Sequence, residues 1–331
     1  MTSRGLTPGR CDLDPWNLIW VMPAQGDCIP RGPASLRVVI MRETDVLRLI
    51  AARVAAAGDD AAIVPFRGTN LLLTTDMLHR ESDFPSGTTP RTIGWRSVAV
   101  SLSDLAAMGA RPLAVLLALA DADLDEGLIS GILDGALSCC KQASTDLAGG
   151  DIDRQQELTL VSTAVGEAER PVHRDGAKVG DLICVTGELG RTAAGLNLFS
   201  AGEMETANEL FCFPPRVAWG MELADLVTSM IDISDGLAHS LHLLATQGEV
   251  GFQVEWERLP IHQVLVEQAS GETLRDAVLF TGEDYELLFT VPKGLIAQID
   301  PSVRYTVIGK VCEHETRLLD NDKLPDRGYE H

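Results

Sequence analysis

Two hydrophobic periods alternate along the chain from Met41 onward. Residues 41–50 place apolar positions at helical spacing behind a capping signal and predict an amphipathic helix. Short apolar runs at 61–64 and 71–75, separated by the turn residues 67–70, predict two buried strands. Ile93, Val98, Val100, Leu102, Leu105 and Met108 predict a long helix that stops at Gly109. Further runs predict a strand over 113–120, a helix over 126–147 and a strand over 157–165. Residues 166–178 turn polar, with Pro171 and Gly176, and read as a linker. Beyond it come a strand over 181–186, a helix over 192–199, and strands over 285–291 and 305–311. Alternation of strand and helix predicts two domains, an α/β unit over 41–168 and a second α/β stretch over 169–331. Residues 1–40 hold five prolines and neither period, so they read as a disordered leader, with Met41 as an alternative start.

Composition narrows the classes. Apolar side chains make up 45% of 331 residues, enough for two cores. The longest apolar run, residues 113–120, falls far short of the roughly 20 residues a membrane helix needs, so no membrane partner is expected. Seven scattered cysteines without a C-x-x-C pair argue against a disulfide framework or zinc site and fit a reducing cytoplasm. A formal charge of −21 with no basic run excludes nucleic acid as the expected partner. An acidic chain still handles a polyanion when its carboxylates first gather divalent cations.

Aspartates placed where strands or loops give way to helices fit that scheme: Asp59 and Asp60, Asp76, Asp104, Asp151, Asp232 and Asp235. Magnesium takes hard oxygen ligands, and carboxylates on several loops, with threonine hydroxyls, supply them. Each aspartate taken singly is more often a turn former or helix cap. Their number counts because other phosphate machinery is missing: no G-x-x-x-x-G-K-[ST] loop, no G-x-G-x-x-G turn, and few lysines. No nucleophile or general-base arrangement is legible either. Transfer to a phosphate acceptor needs none, since an ionised phosphate oxygen is already nucleophilic and the obstacle is anion repulsion.

The strings Gly58-Asp59-Asp60-Ala61-Ala62, Thr74-Thr75-Asp76, Val100-Ser101-Leu102-Ser103-Asp104-Leu105-Ala106-Ala107-Met108-Gly109-Ala110, Gly149-Gly150-Asp151, Asp232-Ile233-Ser234-Asp235-Gly236 and Gly282-Glu283-Asp284-Tyr285-Glu286-Leu287 occur in order. Together they resemble thiamine-monophosphate kinase, of the aminoimidazole-ribonucleotide-synthetase-like superfamily. The resemblance implies an N-terminal α/β domain whose sheet forms a homodimer interface, and a C-terminal α+β domain. It implies ATP as co-substrate, thiamine monophosphate as acceptor, and several Mg2+ ions on Asp60, Thr74, Thr75, Asp76, Asp104, Asp151, Asp232 and Asp235. Gly150, Asp151, Arg174 and Ser234 are then expected at ATP, and Glu283 and Tyr329 at the thiamine end.

Two positions depart from the family pattern. Asp83-Phe84 stands where a His-Phe pair is frequent, putting an anion at the acceptor site, and Ile152 follows Gly-Gly-Asp where Thr is frequent. Asp83 is therefore a candidate for the cationic thiazolium, for a further metal ion, or for a plain surface loop. The alternatives are another ATP-using enzyme of the superfamily, of hydrogenase-maturation or selenophosphate-synthetase type, and a non-catalytic ATP- or thiamine-diphosphate-binding sensor.

Overall fold

The computed structural model describes residues 58–329 continuously and, ahead of them, residues 46, 49, 50, 53 and 54. The leader over 1–40, the alternative start at Met41 and most of the helix expected over 41–50 lie outside the described residues, although Val46, Leu49 and Ile50 are helical. One compact unit spans Arg42–His331.

Its first half is a five-stranded sheet. The strands are β1 (Ala62–Phe66), β2 (Thr69–His79), β3 (Arg111–Ala120), β4 (Leu147–Asp153) and β5 (Thr159–Ala168), in the order β1-β2-β5-β3-β4. A helical turn α1 (Arg80–Asp83) follows β2, and two long helices, α2 (Pro90–Ala107) and α3 (Glu126–Gln142), cover one face. Helix α2 starts where Thr89 accepts a hydrogen bond from the Thr92 amide and Pro90 supplies a preset φ. It is buried nearly all round, so its apolar residues do not form a single stripe. Gly94 and Gly135 allow its close crossing with α3, since a Cβ at either would stand within 2 Å of a carbonyl oxygen on the other helix.

The second half is a seven-stranded sheet in the order β12-β11-β8-β10-β6-β9-β7. It comprises β6 (Leu182–Thr186), β7 (Ser229–Asp232), β8 (Gly251–Val254), β9 (Leu287–Val291), β10 (Tyr305–Cys312), β11 (Arg317–Leu319) and β12 (Asp322–Lys323). Its helices are α4 (Arg191–Ala201), α5 (Met204–Phe211), α6 (Val217–Leu223), α7 (Leu237–Gln247), α8 (Gln263–Gln268) and α9 (Gly271–Phe280). Helix α2 also packs on β7 and α6, so both halves bear on it and share one core, from Leu102 and Leu105 to Leu223 and Phe289.

The mixed α/β architecture agrees with the expectation; several boundaries differ. The helix expected to reach 147 ends at Gln142, where Ser144 takes φ 57° and the chain reverses into β4, a strand the pattern did not predict. Glycines and aspartates fill β4, and hydrophobic periodicity cannot reveal such a segment. Strand β5 runs on to Ala168, into the expected linker. The expected strand over 285–291 begins only at Leu287, because Glu283 and Tyr285 take positive φ in the turn before it.

Candidate active site

Strand β2 splits its own residues between two environments, because successive side chains point to opposite faces. Thr74 and Asp76 face the helices, whereas Leu73, Thr75 and Met77 are exposed on the other side. Beneath the inner face, α2 presents Ser101, Ser103 and Asp104. The Thr74 hydroxyl donates to Asp104, and Ser101 Oγ donates to Asp76. From the second half, β7 ends in Asp232, which accepts from Ser103 Oγ at 2.6 Å. The loop after it leads to α7 through Gly236 at φ 103°, packed against the Leu279 carbonyl so closely that a side chain has no room.

Asp60, in the turn before β1, completes the group: carboxylate oxygens of Asp60, Asp104 and Asp232 lie within 4.8 Å of one another. Burial first, and then repulsion from Asp76, Asp232 and Asp60, pushes the Asp104 carboxyl well above the usual range. Asp232 is raised by burial and by Asp60, and Asp76 by burial. Among the described residues, Arg174 brings a cation to the four: its Nε and Nη2 donate to Asp60 at 3.0 and 2.7 Å. Asp59 holds that arginine's turn by accepting from the Arg174 amide at 3.0 Å. Carboxylates this close, with one guanidinium beside them, form a hard-oxygen donor set of the kind a divalent cation would fit.

Beside the cluster a cleft of about 220 Å³ is lined by Asp76, Asp104, Ser234, Asp235, Glu283, Tyr285, Asp83 and Tyr329, among others. Burial and the charges of Asp83 and Glu283 raise the Tyr329 phenol. Asp83 Oδ2 accepts from the His79 amide at 2.6 Å and so closes α1, which makes this carboxylate a buried structural cap as well as a cleft wall. A larger cleft of about 640 Å³ near Arg111, Pro214 and Trp219 contains none of these aspartates. We place the chemistry with the carboxylates, since size alone does not recognise an anion.

Of the metal-ligand candidates, Asp60, Thr74, Asp76, Asp104 and Asp232 come together, and Asp235 lies on the adjoining cleft wall. Thr75 and Asp151 do not join them. Thr75 Oγ1 donates to the Ser162 carbonyl at 2.9 Å on the outer face. The register Met77↔Val161, Val161↔Ala118, Ala118↔Asp151 puts Asp151 on that same outer face, on an edge strand three places from β2. Gly150 lies on β4, where a Cβ would stand 1.8 Å from the Leu117 carbonyl oxygen, so glycine is needed there for strand approach as well. Sequence reasoning passed over Ser101 and Ser103; their hydroxyls flanking Leu102, just ahead of Asp104, were the available signal.

The family model for AIR synthase related protein, N-terminal domain, matches residues 58–168, and that for its C-terminal domain matches 178–318. A thiamine-monophosphate kinase of Halobacterium salinarum is 42% identical over 294 residues, covering 88% of this chain and all of the relative. One from Methanospirillum hungatei is 43% identical over 278 residues, 82% of this chain and 92% of the relative. Among solved structures, AaThiL complexed with AMPPCP and TMP superimposes with a TM-score of 0.81 at 30% identity, covering 88% of this chain and 97% of that one. A HypE–HypF complex matches with a TM-score of 0.67 at 19% identity over 86% of this chain and 97% of that one, a likeness of fold alone.

Proposed function

The chain belongs to the thiamine-monophosphate kinase family, and on that premise we propose that it transfers the γ-phosphoryl group of ATP to the phosphate of thiamine monophosphate, giving thiamine diphosphate and ADP. The observation that carries the reading is the buried group Asp60, Asp104 and Asp232, with Asp76 beside it, opening on a cleft walled by Asp83, Glu283 and Tyr329.

An acceptor phosphate oxygen attacks the γ-phosphorus in line, the bond to the bridging oxygen breaks, and ADP leaves with that electron pair. Asp60, Asp76, Asp104 and Asp232, with Thr74, are the groups to hold Mg2+, which supplies charge neutralisation between the two anions. Ser101, Ser103 and Thr74 fix the carboxylates by donating to them, so little reorganisation is left for the reaction. Arg174, paired with Asp60, has the fork geometry for a phosphate oxygen. Glu283 and Asp83 present negative charge to the cationic thiazolium, and Tyr329 offers a ring for stacking.

The outer face of the five-stranded sheet supports a homodimer. Val64, Leu73, Met77 and Leu116 are exposed on this face of β1, β2 and β3, an apolar surface of the kind that marks a protein–protein contact. Thr75 and Asp151 lie on this side, too far apart to meet within one protomer. We assign Asp151 to the site of the opposite protomer, across a two-fold interface. The cytoplasm is the compartment we assign: Cys139, Cys140, Cys184, Cys212 and Cys312 are free thiols, and no described helix is long and apolar enough to span a membrane.

A coupled ADP-release assay tests the reading. Release is expected to need both Mg2+ and thiamine monophosphate; release indifferent to thiamine monophosphate would overturn the assignment.

A further inference from the structure

We infer that Arg96 is a positioning residue for acceptor recognition, acting through Glu283; the inference rests on the acceptor reading above. Arg96 lies in the middle of α2 and its side chain has no solvent exposure. A guanidinium in that position needs a counter-charge, because an unpaired buried ion is strongly destabilising. Among the described residues the carboxylate paired with it is Glu283, whose Oε1 accepts from Arg96 Nη2 at 2.8 Å. The pairing is lopsided: Glu283 keeps 26% side-chain exposure and lines the cleft. The guanidinium therefore reaches the carboxylate from the protein side and leaves its open side to a ligand.

The surroundings hold this arrangement in one geometry. The guanidinium carbon stands 4.5 Å from the Phe211 ring centre and 5.5 Å from that of Phe213. Phe213 in turn stacks on Tyr285 at 4.2 Å and 11°. Arg96 Nη1 donates to the Phe211 carbonyl at 3.4 Å, and Nε has no partner, so the planar fork is fixed by stacking and by Glu283 more than by a full hydrogen-bond set. Glu283 itself takes φ 57°, unusual for a side chain with a Cβ. That conformation persists because both backbone groups are tied down: its amide donates to the Ser234 carbonyl at 2.5 Å, and its carbonyl accepts from Thr192 Oγ1 at 2.7 Å. Next along, Asp284 accepts from the amides of Gly190 and Thr192 at the start of α4. A backbone held this firmly, with a carboxylate anchored from behind, is a pre-oriented acceptor for a cationic or N–H-bearing ligand.

Steady-state kinetics on five proteins test the inference: wild type, Arg96→Met, Arg96→Lys, Glu283→Gln and Glu283→Gln/Arg96→Met. Loss of the anchor is expected to raise KM for thiamine monophosphate by about tenfold or more, with KM for ATP within about twofold. Arg96→Lys keeps the charge and is expected to recover most of the loss. If Arg96→Met does not fold, the double variant decides, since it leaves no buried charge unpaired. Its acceptor KM is expected to equal that of Glu283→Gln alone. Parallel rises in both KM values, or a further tenfold rise from Arg96→Met on top of Glu283→Gln, overturn the inference. Wild-type protein that ignores thiamine monophosphate overturns instead the reading on which it rests.

Discussion

On the inner face of the five-stranded sheet, Thr74 and Asp76 lean into a buried acidic cluster; one residue along the same strand, Thr75 and Met77 face outward among exposed apolar side chains. The inner face has too much like charge for its burial, and the outer face has too much apolar surface for its exposure. The first fits the cation, and the second the partner protomer, of the proposed function. A strand of period two serves both needs, so a one-residue slip of β2 would exchange the two sets and destroy both.

Removing charge from the inner face has the largest expected effect. Asp104→Asn should lower thiamine-monophosphate-dependent ADP release by about 10²–10³-fold, while circular dichroism stays native. Turnover within tenfold of wild type would contradict the cluster's role.

The outer face is tested next. Asp151→Asn should also impair turnover, yet in a different protomer's site. When Asp104→Asn and Asp151→Asn proteins are unfolded, mixed and refolded together, random pairing makes half of the dimers mixed, each with one intact site. About a quarter of wild-type activity should return. No recovery would show that Asp151 does not act across an interface.

The smallest expected effect is on stability. Burial, and then the neighbouring aspartates, raises the Asp104 carboxyl above its unfolded value of 3.8. The folded chain thus binds the proton more tightly than the unfolded chain does, and the associated stabilisation, full below that unfolded value, is lost as pH rises. In metal-free buffer with chelator, Asp104→Asn lacks this loss. Its melting temperature should gain on wild type by a few degrees, about 2–4 °C for each kcal/mol, as pH increases from 5 to 8. A difference that stays flat across that range would contradict the electrostatic account of the cluster.

Much of this contrast was legible in the chain, though unevenly. Asp60, Asp76, Asp104 and Asp232 stood out because each follows a turn or closes an apolar run, positions where a side chain can turn toward a site. Which of them converge depends on the pairing of α2 with β2 and β7, a long-range fact that local spacing does not hold. Thr74 and Thr75 looked equivalent as neighbours, and only the pleat separates them. Asp151 sits on β4, invisible to hydrophobic periodicity because Gly149, Gly150 and two aspartates leave the strand no alternating apolar run. Arg96 was hidden for a different reason: a lone arginine inside an apolar helix pattern reads as a solvated face, and its burial becomes apparent only when Phe211, Phe213 and Glu283 close over it.

The central claim is that this acidic, doubly charge-strained site joins two phosphates. Phosphorus NMR of the purified protein with ATP, Mg2+ and thiamine monophosphate measures it most directly. The account predicts that the thiamine monophosphate singlet gives way to a pair of coupled diphosphate resonances as ADP accumulates in equal amount. ADP appearing with free orthophosphate, while the thiamine monophosphate signal stays unchanged, would contradict it.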